Sequence, residues 1–364
     1  MPSSTQPLVF VSGYALAGQV GLQACRFDPA TGALSAFGSF SGITSPGYIV
    51  AHPNGRWLYA ASEIAKSEFG RYGEVFALRY VADTDADAER FKIEIINQQT
   101  SRGDAPCHLR LDATGRWLLV ANYSTGNGAI YPIREDGSLG EMTDFIEHHG
   151  AGPNPGRQEG PHVHSSILTP DNRYAIFADL GLDQLVIYAL DQSTGKLRLH
   201  GHGDAVPGAG PRHMAFHPDG QHLYAANELD SSIALYNYAA AAGTLTRQQV
   251  LPTLPQPDPS STVADIHIDA AGQRVFVSNR GHNSLAVFNI GAQGRLTQAG
   301  IFSCGGNWPR NFALAPGGRF VLVGNQLGNE VTVLPLDGPQ GLIGAAVASL
   351  PAIGPGCIKF APTL

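Results

Sequence analysis

One motif recurs along this chain: an apolar strand, a tight turn centred on Gly or Asn, and a second apolar strand ending in a short polar residue. It reads "IVAHPNGRWLYAAS" from Ile49, "LRLDATGRWLLVAN" from Leu109, "SILTPDNRYAIFAD" from Ser166, "MAFHPDGQHLYAAN" from Met214, "IHIDAAGQRVFVSN" from Ile266 and "FALAPGGRFVLVGN" from Phe312. The turn residues Gly55, Gly115, Asn172, Gly220, Gly272 and Gly318 lie 46 to 60 residues apart. Periods of about 40 to 50 residues, each holding several strand-sized pieces, belong to propeller blades. Further strand candidates such as "SIALYNY", "SLAVFNI" and "EVTVLPL" follow the hairpins, so four strands per blade are expected.

The chain ends supply a seventh blade. "PGCIKFAPTL" from Pro355 opens like a first strand and stops, whereas "LVFVSGY" from Leu8 reads as a second strand and "VGLQACRFD" as a third. Joining them in one sheet removes a free edge at the seam. The expectation is an all-β, seven-bladed β-propeller of four-stranded blades, residues 1–364 forming a single domain, with the ring closed by N-terminal strands pairing with the C-terminal strand.

Composition narrows the function. Gly (44) and Pro (25) fall between short apolar runs, as many turns require, and 43% hydrophobic residues supply a core. A net charge of -7 without any basic run argues against nucleic acid and for a small-molecule partner. No apolar run approaches the roughly 18 to 20 residues of a membrane span, and "MPSSTQPLVF" lacks the features of a leader, so no membrane and a cytoplasmic location are expected. The four cysteines, Cys25, Cys107, Cys304 and Cys357, have neither disulfide-scaffold nor zinc-ligand spacing and read as buried thiols. Cys107 precedes His108, but neighbours on a strand point to opposite faces, which argues against a catalytic pair.

With the turn at one end of each hairpin, both strand termini lie at the other. Counting eight residues back from each turn residue gives Gly47, Cys107, His164, Arg212, Ala264 and Arg310. Counting eight on gives Glu63, Tyr123, Leu180, Glu228, Arg280 and Gln326. His164, Arg212, Glu228, Arg280 and Arg310 therefore share one rim, where a propeller places its ligands. His108, His213 and His267 lie on or beside first strands, the usual place of hydrogen-bonded core histidines, and His52, His217 and His222 sit at the turn end. The second-strand termini Asn122, Asp179, Asn227, Asn279 and Asn325 read as groups that satisfy backbone where each strand breaks off rather than as calcium ligands.

"GPNPGRQEGPHVHS" from Gly152, "GPRHMAFHPDGQHLYAANE" from Gly210, "VSNRGHNSLAVF" from Val277 and "NWPRNFALAPGGRF" from Asn307 resemble the lactonase family of seven-bladed propellers. That family includes bacterial propeller-type 6-phosphogluconolactonases and the fungal carboxy-cis,cis-muconate cyclizing enzyme. The resemblance spans all the blades, and the Gln-containing insert followed by His-x-His is its most specific element. It implies a site of one histidine, two arginines and one glutamate, here His164, Arg212, Arg280 and Glu228.

Lactone hydrolysis needs an activated water, a cradle for the carbonyl oxyanion and a proton for the leaving hydroxyl. Glu228 beside arginines should stay ionised, and Glu228 and His164 divide the base and proton-donor roles in either order. Arg212 and Arg280 can hold oxyanions with paired hydrogen bonds. Arg310, Gln158, His162 and His213 are the expected substrate-binding residues, with Gln158 and His162 closing over the substrate. No metal or other cofactor is expected. The leading expectation is hydrolysis of 6-phosphoglucono-1,5-lactone, with another lactone, muconate cycloisomerisation or a non-catalytic binding rim bearing Tyr72, Tyr123 and Trp308 as alternatives.

Overall fold

Seven sheets follow one another around a ring in the computed structural model, which describes residues 6–83, 90–337 and 342–362. Six come from consecutive stretches of chain. The seventh has the order Pro355–Phe360, Leu8–Gly13, Leu22–Phe27, Leu34–Phe40, with Phe10 opposite Lys359 and Val11 opposite Ile358. This is the seam expected from the incomplete repeats at the two ends. In the preceding blade the outer strand is split into Leu342–Ile343 and Ala348–Pro351, both paired with Glu330–Asp337.

Blades stack face to face, so their middle strands are buried on both sides. That is why "WLLVAN", "YAIFAD" and "FVLVGN" are continuously buried rather than alternating. Outer strands such as Lys196–Asp204 are largely exposed and carry the polar residues. Small residues let neighbouring sheets approach: Ala60, Ala121, Ala178 and Ala225 are fully buried. Tyrosines of the second strands fasten one blade to the next, Tyr59 Oη donating to the Gly137 carbonyl and Tyr224 Oη to that of Gly294.

All six hairpin turn residues have left-handed backbone, with φ between 56° and 71°. Five are glycines, and Asn172 is the exception. Its amide explains the choice: Nδ2 donates to Asp112 and Oδ1 accepts from the Ala113 N–H, tying its blade to the one before. Replacing Asn172 with Ala should cost about 2 kcal/mol, combining a strained φ with two lost inter-blade hydrogen bonds. Urea unfolding checks this, and Asn172→Gly should recover about half of the loss.

The inner strands share a second irregularity. Each shifts register near its start, and the skipped residues are Gly47, Cys107, His164, Arg212, Arg310 and Gly356, with Ala264 and Asp265 in the strand from Thr262. A bulge re-aims the extra side chain out of the pleat. The same strand position in successive blades therefore offers its side chain to the channel mouth.

Candidate active site

Glu228 stands at the centre of that mouth, 4% exposed and surrounded by cations. Its Oε2 accepts from Arg212 Nε at 2.9 Å and lies 2.8 Å from Arg280 Nη2, while its Oε1 accepts from Arg157 Nη2 at 2.6 Å. Burial alone would raise its pKa, but Arg280, Arg212 and Arg157 together outweigh burial and hold the carboxyl far below the usual range. It is a permanent anion.

His164 Nε2 is 3.9 Å from Glu228 Oε2. Burial, reinforced by Arg212 and His213, keeps this imidazole well below its ordinary pKa and hence neutral at pH 7. Its other nitrogen lies 3.6 Å from Cys107 Sγ. Burial pushes the Cys107 thiol upward, so it stays protonated, and it donates to the His164 carbonyl at 3.2 Å. The sulfur then presents only lone pairs to Nδ1, which favours a proton on Nδ1 and leaves Nε2 as the free base. Cys107 is not placed to be a nucleophile, and its contact is with His164 in the next blade.

A second carboxylate shares the mouth. Glu63 accepts from Tyr14 Oη at 2.6 Å and from Arg310 Nη2 at 3.4 Å, and Arg310 lies 4.9 Å over the Tyr14 ring. Burial raises Glu63, with Arg310 opposing. Four guanidinium groups thus surround two carboxylates. Trp308, 5.7 Å from Arg280, flanks this cluster. Its φ of 67° is shared in kind by Ser45, Ala105, Gly210 and Gly354, each the residue before the proline that opens an inner strand. The strained lead-in is part of the blade architecture, and at Trp308 it sets an indole beside Arg280.

A family model described as "Lactonase, 7-bladed beta-propeller" matches residues 8–360. The chain belongs to that family. A 6-phosphogluconolactonase of Bacillus subtilis (strain 168) is 32% identical over 98% of this chain and 99% of its own. One of Formosa agariphila is 29% identical over 87% of this chain and 88% of its own. Among solved structures, the periplasmic gluconolactonase of Pseudomonas aeruginosa is 30% identical, covers 98% of this chain and 99% of its own, and superposes with a TM-score of 0.90. The chain is thus a lactonase, and hydrolysis of a lactone is its reaction.

Within the lactonase, His164, Arg212, Glu228 and Arg280 are brought together as the rim count expects, and Arg310, paired with Glu63, acts electrostatically on Glu228 and His164. The remaining expected residues are placed differently. Gln158 is fully buried, its Nε2 donating to the Leu180 carbonyl and its Oε1 accepting from the Asn154 N–H. Both ends of that amide are used inside the loop, so Gln158 shapes the segment that carries Arg157 instead of reaching substrate. His162 stacks on Tyr123 at 4.6 Å, and its Nδ1 meets the Tyr123 carbonyl. His164 makes a T-shaped contact with the same ring at 5.2 Å, so both histidines pack on Tyr123.

His213 lies beneath Arg212, with Nε2 3.2 Å from Arg212 Nη1 and Nδ1 2.7 Å from Asp265. An arginine can only donate, so Nε2 accepts and Nδ1–H donates to Asp265. Burial and Arg212 lower its pKa to about 4. His213 braces Arg212 from below.

Sequence reasoning did not select Arg157, Glu63 or Tyr14. Glu63 occupied a counted rim position, but its partner Arg310 is 247 residues away. The second-strand termini are partly engaged by their own loops: Asn122 Nδ2 donates to Asn127, Asn227 Nδ2 to Ser232, and Asp179 accepts from His162, Gly181 and Leu182 N–H groups, while Oδ1 of Asn122, Asn227 and Asn325 is buried without a partner among the described residues. At the opposite rim, His217, Asp219 and His222 cluster closely enough to hold an ion. His217 Nε2 already meets the Gly272 carbonyl, just as His52 Nε2 meets that of Gly115, which marks both as inter-blade braces.

Proposed function

We propose that the protein hydrolyses 6-phosphoglucono-1,5-lactone at this mouth, with His164 as the general base. The observation that carries the reading is the surplus of fixed positive charge: Arg157, Arg212, Arg280 and Arg310 against two carboxylates, beside a neutral imidazole. Such a surplus favours an anionic substrate and an oxyanionic transition state. The names of the Bacillus subtilis and Formosa agariphila relatives point to the same substrate.

The roles follow from availability. Glu228, bound by three arginines, is too weak a base to take a proton from water, and it serves by holding those arginines in place. His164 Nε2 takes a proton as water attacks the lactone carbonyl. The tetrahedral oxyanion is held by guanidinium N–H groups. Collapse breaks the bond between that carbon and the ring oxygen, which receives the proton from the His164 imidazolium, and the free base is restored. Arg212 is 2% exposed and engaged with Glu228 and His213, so it acts as scaffold. The Arg157 side chain is 41% exposed and that of Arg310 17%, and these are the groups that reach the substrate's phosphate.

The Pseudomonas aeruginosa neighbour favours a second reading, an unphosphorylated gluconolactone as substrate. Comparing kcat/KM for the two lactones above their spontaneous hydrolysis separates the readings. Under the first, the phosphorylated lactone is preferred, and Arg157→Gln lowers that preference about tenfold through KM. Equal or reversed preference in the wild type would exclude the phosphorylated substrate as the specific one. The same reading places the enzyme in the cytoplasm, which the four free, buried cysteines favour.

A further inference from the structure

The channel has a second mouth. The inner strands run from the lactonase site to the hairpin turns, and at the turn end they enclose a cavity of about 480 Å³. Arg212 and His213 form the partition between the two ends, in contact at 3.2 Å. The cavity is as large as small-molecule sites of roughly 300 to 1,000 Å³.

Its charged side chains include two cations. Arg110 and Lys359 line it, and among the described residues neither has a carboxylate within ion-pair distance. Lys359 Nζ reaches only Tyr48, 3.3 Å from its hydroxyl and 4.9 Å over its ring. The Tyr48 ring in turn packs 4.4 Å from His108, and both Lys359 and Arg110 bear electrostatically on that imidazole. His108 Nδ1 accepts the Ser166 N–H at 3.4 Å, so its remaining proton sits on Nε2 as a further donor. The Ser166 hydroxyl, on a residue 2% exposed, has no hydrogen-bond partner among the described residues.

The cavity has one lining carboxylate, Asp265, and it is occupied. Its Oδ1 meets His213 Nδ1, and its Oδ2 meets His267 Nε2 at 2.9 Å and accepts from Asn311 and the Phe312 N–H. Two cations without a carboxylate partner, the His108 imidazole and the orphaned Ser166 hydroxyl thus line one cavity whose single carboxylate is already engaged. A buried hydroxyl left without a partner is costly, and an oxyanion would accept from it while pairing with the two cations. We propose that this second mouth binds a small oxyanion, a phosphate or carboxylate group, between Arg110, Lys359, His108 and Ser166.

The proposal is independent of which lactone the first mouth hydrolyses. Inorganic phosphate and citrate are the probes, read on the imidazole resonances of the full-length protein labelled at histidine nitrogen. At least one probe should shift the His108 signal saturably. The double variant Arg110→Gln, Lys359→Gln should weaken that binding tenfold or more while leaving kcat on glucono-1,5-lactone unchanged, which also shows that the fold is intact. Arg110→Gln alone, at an exposed strand end, should weaken it severalfold if the double variant folds poorly. A response to phosphate only or to citrate only identifies the oxyanion. The proposal is overturned if neither probe moves His108, or if the shift survives loss of the cations with less than a tenfold change in affinity.

Discussion

Exchanging Glu228 for Gln is expected to lower kcat at least about 100-fold and to destabilise the protein by about 3–5 kcal/mol. The two losses have one cause. Three guanidinium groups converge on a single buried carboxylate, and the near-isosteric amide removes the charge while leaving Arg212 and Arg280 buried. An uncompensated buried cation is far costlier than a missing contact, and the freed arginines would turn toward other acceptors and lose their common geometry. His164→Gln separates chemistry from scaffold. His164 is neutral and its nitrogens make only a sulfur contact at 3.6 Å and a 3.9 Å approach to Glu228. Its replacement should cost about 10²–10⁴ in kcat while the unfolding free energy moves by only about 1 kcal/mol. Turnover measured beside urea unfolding reads both quantities. A stable His164→Gln enzyme with wild-type kcat would remove the base from the scheme, and a Glu228→Gln protein with wild-type stability would refute the charge argument.

The ring was legible because a propeller repeats its physics in every blade. Each hairpin needs one left-handed turn residue, and all six residues on which the copies align have positive φ. The seam was legible for the same reason, since Pro355–Phe360 and Leu8–Gly13 each carry half of a repeat that neither completes alone. The rim residues emerged from a count that assumes equal strand lengths, and it succeeded because the bulge falls at the same place in successive blades. Alternation along a strand does not reach the bulge itself, where Arg212 and His213 touch, or contacts between blades, such as that of Cys107 with His164. Arg157 lies in a segment with no counterpart in the other blades, where no period marks which side chain turns inward. Gln158, beside it, carries the polar character of a ligand-binding residue, but the backbone of its own loop claims the amide. What sequence periodicity cannot contain is the pairing of residues fixed by ring closure, of which Glu63 with Arg310 is the clearest case.

Acidification should unfold this protein far more steeply than its surface charge suggests. Burial, together with neighbouring positive charge, holds His108 and His164 well below the ordinary histidine value of about 6.5 and takes His213 to about 4. All three are at least nine-tenths buried. Above about pH 6.5 they are neutral in both folded and unfolded chains and leave stability unchanged with pH. As pH falls below that value, the unfolded chain takes up protons that the folded chain refuses, so stability is lost through the window down to about 4, where folded His213 begins to titrate. One such group contributes a slope of about 1.4 kcal/mol per pH unit, and three together approach about 4 kcal/mol per unit. Below about pH 4.3 the loss continues for a second reason, because the depressed Glu228 and Asp265 carboxylates now resist protonation that the unfolded chain accepts. Unfolding free energies from urea titrations between pH 7.5 and 4.5 (a window of about 3 units around the ordinary histidine value) should stay level to about 6.5 and then fall steeply. His108→Gln should remove about a third of the slope, since it deletes one titrating group from the unfolded chain. A flat profile across that window would mean that the three imidazoles are hydrated and charge freely in the folded state. Neutral His164 would then lose its physical basis, and with it the assignment of Nε2 as the base.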